Sequence, residues 1–191
     1  MVSMQRQELD TPAAKKGWTE LNTRIKSMVL VHEQLYQSGD FSQINFHEYL
    51  LNLATHLQLT FGRGDIDITV AAEGVTMNLN NAVPCGLFVN ELLTNALRHA
   101  FPPGRRQSPN EKQKITVSAS QRPTGYTLVV SDNGVGLPIN YDFTTAKTLG
   151  LTLIHLLGRH QLQGKVELLS QPDGTGVCLR FSPKAQQKAP L

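Results

Sequence analysis

The sequence predicts an α+β domain, a two-layer α/β sandwich in which helices cover one face of a mixed, mostly antiparallel sheet. A separate helix precedes it. Three observations lead there. Apolar side chains recur at helical spacing in four stretches, alternate with polar ones in several short segments, and glycine- or proline-bearing turns separate those segments. With 191 residues, 40% hydrophobic and 17% charged, the chain has room for one packed domain and a short appendage.

Met1 to Lys16 is polar and expected to fray. Trp18, Leu21, Ile25, Met28 and Leu35 then follow a three-four alternation, with His32 in the missing position, as in the seam of two packed helices. That helix is expected to stop near Ser38-Gly39-Asp40. It has little to bury against within its own chain, so the pattern implies a partner helix, from a second copy or from sequence absent here. Asn45 with Glu48 opens the next helix as a capping box, and Phe46, Leu50, Leu53, Leu57 and Phe61 share its face up to Gly62-Arg63-Gly64. Ile66, Ile68 and Val70 alternate as a half-buried strand, with Val75 to Leu79 as its expected hairpin partner across Gly74.

Asn80-Asn81 precedes a third helix, which carries Pro84 in its expected first turn and ends at Phe101-Pro102-Pro103-Gly104. On it Glu91, Asn95 and Arg98 fall on one narrow arc with His99 at its edge, while Cys85, Val89, Leu92, Ala96 and Ala100 form a packing stripe. Asn95 is a poor helix former in an otherwise well-formed helix, so its amide has a task besides the helix. After a polar loop, Ile115, Val117 and Ala119 alternate, Pro123-Thr124-Gly125 turns, and Thr127 to Val130 returns as a hairpin. Asp132-Asn133-Gly134-Val135-Gly136 follows. Alone it is a common turn signal, but its glycines also let backbone approach a flat ligand. Gly134 to Lys147 reads as a surface segment. Thr148-Leu149-Gly150-Leu151 opens a helix to Leu162, where free amides favour phosphate. Val166 to Leu169 and Val177 to Phe181 pair across Pro172-Asp173-Gly174, and the tail is expected to be disordered. The expected units are 1–40, 41–183 and 184–191.

Composition excludes several classes. Net charge is +3, and its densest basic cluster (Arg105, Arg106, Lys112, Lys114) lies in a loop, which gives no nucleic-acid signature. No apolar run reaches membrane-helix length, and Met1 to Gln7 has no signal-peptide core. Cys85 and Cys178 match no metal spacing, which suits buried, reduced thiols in a cytoplasmic protein.

The three polar blocks, in this order, resemble the nucleotide-binding domain shared by histidine kinases, Hsp90, type II topoisomerases and MutL, the Bergerat or GHKL fold. Glu91 to Ala100 is similar to its N box, Asp132 to Gly136 to the first glycine box, Thr148 to Leu151 to the second, and Gly174-Thr175-Gly176 to the terminal Gly-Thr element. The short segment between the glycine boxes, with the phrases 30–36 and 91–97, resembles a two-component histidine-kinase subclass whose dimerisation helix carries a His-Arg-x-Lys-Asn-Asn phosphoacceptor box.

The resemblance implies a set of roles. Asp132 would accept from the adenine amino group, with Gly134 and Gly136 beside the base and Thr175 supporting it. Asn95 would ligate Mg²⁺. Arg98, His99 and the amides of Thr148, Leu149, Gly150 and Leu151 would meet the phosphates of ATP, and Glu91 would be the base. Implied partners are a histidine-bearing dimerisation domain and a response-regulator receiver domain, with a possible homodimer through the N-terminal helix. The phosphoacceptor box is absent, and none of His32, His47, His56, His99, His155 and His160 stands in its context. His32 reads as a packed or capping residue, and His155 and His160 as a polar helix edge. The expectation is therefore the C-terminal part of a longer kinase, cut within its dimerisation region. Two rivals stay open: a serine/threonine kinase of the anti-sigma type, which lacks dimerisation helices, and a non-enzymatic scaffold with a degenerate nucleotide fold.

Overall fold

A computed structural model describes residues 11–38, 43–103, 112–138, 148–169 and 173–182. Of the stretch expected to fray, Pro12 to Lys16 is instead helical, while residues 1–10, the Gly39-Asp40 helix end, Arg105-Arg106, most of the 134–147 segment, Pro172 and the tail lie outside the described residues, as do the His32 and Leu35 side chains.

Helix α1 (Pro12–Ser38) leads to β1 (Ile44–Asn45), α2 (Phe46–Phe61), β2 (Asp67–Ala71) and β3 (Thr76–Met77). Helix α3 (Leu79–Asn95) continues through a π-helical turn, Ala96–Ala100. Then come β4 (Lys114–Arg122), β5 (Gly125–Asp132), α4 (Leu149–His155) with a π-helical extension Leu156–Gln161, β6 (Lys165–Leu169) and β7 (Thr175–Phe181).

Five strands form one mixed sheet in the order β2-β4-β5-β7-β6, with β2–β4 parallel and every other pair antiparallel. One face, bearing Ile115, Val117, Leu128, Val130, Val166, Val177 and Leu179, is buried in the common core with the helices. The other carries half-buried Thr116, Ser118, Thr127 and Ser131, so the molecule has two layers, as the alternation predicts. The β4–β5 and β6–β7 hairpins form where the sequence puts them. So does α2: the Asn45 side chain accepts from Glu48 N at 3.3 Å, and Gly62 closes the helix at φ 61°.

Three further expectations are corrected. β3 does not pair with β2 but antiparallel with β1, Ile44 opposite Met77, while β2 joins β4 in parallel through the α3 crossover. The Gly74 turn is real at φ 74°, but Val75 hydrogen-bonds Ala72 and Phe46 rather than extending a hairpin. Helix α3 starts earlier than expected, because Asn78 accepts from Asn81 N at 3.0 Å, which leaves Pro84 inside the helix and beyond its first turn. The third concerns α1, which does bury a face within its own chain, but not the apolar seam. Leu21, Ile25 and Met28 point outward, 48%, 44% and 40% exposed, while Thr23, Ser27 and Val31 are buried.

That inward face is polar up to Ser27 and apolar at Val31. The Thr23 and Ser27 hydroxyls donate to carbonyls of their own helix, Glu20 O and Arg24 O, so they reach burial already satisfied. The Tyr49 hydroxyl of α2 donates to Ser27 O at 3.2 Å, passing Gly86 of α3 so closely that a Cβ there would lie 1.8 Å from it. Helix α3 is thereby enclosed on almost every side. Its packing stripe (Cys85, Val89, Leu92, Ala96, Ala100) is buried as expected, and so are Asn90, Glu91 and Thr94 outside that stripe.

Candidate functional site

The predicted blocks converge on one cavity of about 600 Å³, a ligand-sized volume. From α3 and its π turn it is lined by Glu91, Asn95, Arg98 and His99, and from the end of β5 by Asp132 and Gly136. Thr148, Leu149, Gly150 and Leu151 at the start of α4 and Thr175 at the start of β7 complete the set. Gly134 is the one predicted residue that does not line it. Its open Cα faces Ala100, where a Cβ would stand 2.3 Å from the carbonyl oxygen, and Val135 N donates to that same oxygen at 2.9 Å.

Local sequence explains these positions. Asp132 ends β5 and accepts through Oδ1 from Gly134 N (2.9 Å) and Thr175 N (3.3 Å); among the described residues its other oxygen accepts no hydrogen bond. Burial raises the Asp132 carboxyl above the ordinary aspartate range, and these two amides pull it partly back. Asn133 faces away. Its side chain accepts from Lys114 N at 2.7 Å and donates to Lys112 O at 2.9 Å, fixing the start of β4. Gly136 adopts φ 70°, and a Cβ there would lie 3.0 Å from Gly174 O. A Cβ on Gly150 would stand 3.0 Å from Glu91 Oε2 and 4.0 Å from Asn95, so the second glycine box abuts the N box.

Asn95 is half-buried, and its side chain makes no hydrogen bond among the described residues, although it sits in a helix beside the cavity. Thr94 Oγ1, also at the cavity, is buried without a partner among the described residues. Thr148 caps α4 through Leu151 N at 3.4 Å. The π turn at Ala96–Ala100 carries Arg98 and His99, a helix irregularity of the kind that accompanies functional sites.

Two charged residues from outside the predicted set, both on α1, also reach the site. Arg24 of α1 donates from Nε (2.7 Å) and Nη2 (2.8 Å) to the two Glu91 oxygens, and Asn90 Nδ2 adds a third bond at 3.1 Å. Glu20, one turn earlier, pairs with Arg98, whose guanidinium also lies 5.0 Å from the centre of the Phe61 ring. The apolar seam gave the only strong periodicity in this helix, and Glu20 with Arg24 on the opposite side reads as an ordinary pair one helical turn apart. The predicted place of Arg98 near phosphate is thus held by a carboxylate. No group of three or more His, Cys, Asp or Glu among the described residues could hold a metal ion. Cys85 and Cys178 are buried and unpaired. No helix among the described residues is long and apolar enough to cross a membrane.

A helix-covered mixed sheet with this cavity is the architecture of histidine kinase catalytic domains. The histidine kinase domain of the Erythrobacter litoralis blue-light activated histidine kinase superposes with a TM-score of 0.71 at 26% identity, over 85% of this chain and 74% of that one. The ATP binding domain of PrrB from Mycobacterium tuberculosis shares the fold at TM-score 0.54 and 20% identity, over 75% of this chain and 97% of that one. The chain belongs to the family of histidine kinase-, DNA gyrase B- and HSP90-like ATPases, whose family model matches residues 80–187. A further family, described as histidine kinase, matches residues 1–61.

Among curated relatives, the blue-light-activated histidine kinase 2 of Erythrobacter litoralis is 29% identical over 195 residues, taking in 98% of this chain and 54% of that protein. The sensor histidine kinase PdtaS of Mycolicibacterium smegmatis is 24% identical over 185 residues, or 94% of this chain and 35% of that protein. The chain thus spans between a third and just over half of the length of these relatives. The GHKL resemblance and the sandwich expected from the sequence both hold.

Proposed function

We propose that this chain binds Mg·ATP in the cavity as the catalytic part of a sensor histidine kinase. The γ-phosphoryl then passes to a histidine of a dimerisation domain, for relay to an aspartate of a response-regulator receiver domain. The observation that carries this reading is the meeting of Glu91, Asn95, Asp132, Gly136, Gly150 and Thr175, from four separate segments, around one ligand-sized cavity.

Asp132 offers a carboxylate oxygen to the adenine amino group, which distinguishes adenine from guanine. The donor set also fits magnesium. An unpartnered amide beside the cavity, with no acidic cluster among the described residues, suits an ion that draws most of its ligands from phosphates and water. Asn95 would hold that ion, which when bound neutralises phosphate charge. Amides at the start of α4 and the His99 edge complete the phosphate end. In the transfer, the imidazole nitrogen forms the new bond to phosphorus, the bond to the β-phosphate oxygen breaks to leave ADP, and Glu91 takes the imidazole proton.

The outward Leu21, Ile25 and Met28 of α1 support a partner helix, supplied by a second copy. An anti-sigma-type kinase has no use for such a helix, and the histidine-kinase match over residues 1–61 favours the first reading. Titration with ATP, with Mg²⁺ and with a chelator, tests the core of it. Asn95→Ala is expected to abolish the magnesium-dependent part of binding; undiminished affinity in that variant removes the assignment.

A further inference from the structure

Helix α1 carries an acid and a base to the cavity, and each meets a group of opposite sign on the N-box helix. Arg24 covers both oxygens of Glu91, and Glu20 covers Arg98. All four side chains are at most a quarter exposed, so water screens these pairs less than surface pairs. Beside the cavity the rest of the inward face, Thr23 and Ser27, offers little apolar area, the Tyr49 hydroxyl adds one bond to Ser27 O, and apolar contact comes only further along, at Val31 and Leu30. The N-terminal half of the helix is therefore held at the cavity by charge and hydrogen bonds, while Leu21, Ile25 and Met28 face away and Val31 anchors the C-terminal half in the core. A contact made this way is specific in geometry and open to competition by another anion.

The chemistry of the two pairs matters for the site, and this step rests on the nucleotide reading of the cavity. With a guanidinium across both oxygens and an amide on one, Glu91 has three of its four lone-pair positions taken, which restricts the approach of an imidazole to it. With Glu20 on Arg98, a carboxylate occupies the neighbourhood that phosphate oxygens would take. We propose that α1 is an autoinhibitory latch. Docked, its Glu20 and Arg24 withdraw Arg98 and Glu91 from the reaction, and nucleotide phosphates compete with Glu20 for Arg98 and so favour release of the helix.

The full chain can be tested with Mg²⁺ and adenylyl imidodiphosphate as the probe. Trp18, the only tryptophan, lies on α1 and reports its release by fluorescence. Saturating probe is expected to shift Trp18 emission to longer wavelength. Glu20→Ala is expected to bind the probe on the order of tenfold more tightly, since the ligand no longer has to select a minor open state. Should Glu20→Ala not fold, Tyr49→Phe, which removes only the hydroxyl tie outside the cavity, is expected to tighten binding in the same direction. Unchanged or weaker affinity with an unmoved Trp18 emission overturns the latch. Asn95→Ala run in parallel separates the two readings: loss of binding there, with Glu20→Ala at the wild-type value, retires the latch and keeps the nucleotide site. Failure of every form, wild type included, to bind the probe retires both.

Discussion

Gly174 is pressed against Asp132. A Cβ built on Gly174 would stand 1.9 Å from the Asp132 carbonyl oxygen, and its φ of 85° suits glycine alone. The next residue, Thr175, turns its amide onto the Asp132 carboxylate at 3.3 Å. The start of β7 thus sets the position of the carboxylate proposed to read adenine, which explains why a short Gly-Thr element far along the chain belongs to this site.

Gly174→Ala is accordingly expected to cost about 2 kcal/mol or more, since both the backbone angle and the space must change. Thermal denaturation should show the loss, and titration should show weaker adenine nucleotide binding with it. Wild-type values in both would mean that the end of β5 yields freely.

Asp132 should also set a pH dependence. Burial raises its carboxyl above the ordinary range in the folded protein. The folded state therefore holds this proton more tightly than the unfolded state, ionisation costs stability above the raised value, and that cost disappears as pH falls through it. Binding runs the opposite way, because the ionised oxygen accepts from adenine, so affinity should fall as pH drops through the same raised value. Asp132→Asn keeps a carbonyl oxygen for the Gly134 and Thr175 amides and removes the buried charge. Its melting temperature should rise by about a few degrees while adenine binding is lost. A lower melting temperature, or retained binding, would contradict this account.

Gly86 gives a test of packing. Its Cβ would fall 1.8 Å from the Tyr49 hydroxyl, so Gly86→Ala must displace that ring and break its bond to Ser27 O. Overpacking of this kind costs about 1–3 kcal/mol. Hydrogen exchange should rise in α1 before it rises in the sheet; uniform change across both would count against a local effect.

The outward seam of α1 predicts a separation of fold from assembly. Leu21→Asp with Ile25→Asp touches exposed positions, and each change should alter the stability of the single chain by no more than about 0.5 kcal/mol. Association through α1, read by sedimentation, should disappear. A large drop in melting temperature without any effect on association would mean that the seam serves the chain's own fold.

Much of this was legible in the residues. Asn45 and Gly62 bound α2 through local capping, and the β4–β5 and β6–β7 hairpins follow from alternation broken by turns, because each signal lies within a few residues of its effect. The parallel joining of β2 to β4 was not legible, since it depends on strands separated by the whole of α3, and the Gly74 turn offered a nearer and wrong partner for β2. The depth of Glu91 was missed for a related reason. Helix α1 carries two patterns, an apolar one that faces outward and a mainly polar one that faces its own domain, and only the first appears as periodicity. Glu20 and Arg24 could be found only by knowing which helix they would meet.

The small β1–β3 pairing gives α1 a leash. Ile44 is anchored opposite Met77, six residues after the end of α1 at Ser38. At no more than about 3.6 Å per residue, that tether reaches roughly 22 Å at full stretch. An undocked α1 therefore stays at a local concentration on the order of millimolar beside its own seat. A soluble copy of the helix added in trans at micromolar levels should be outcompeted by the tethered one.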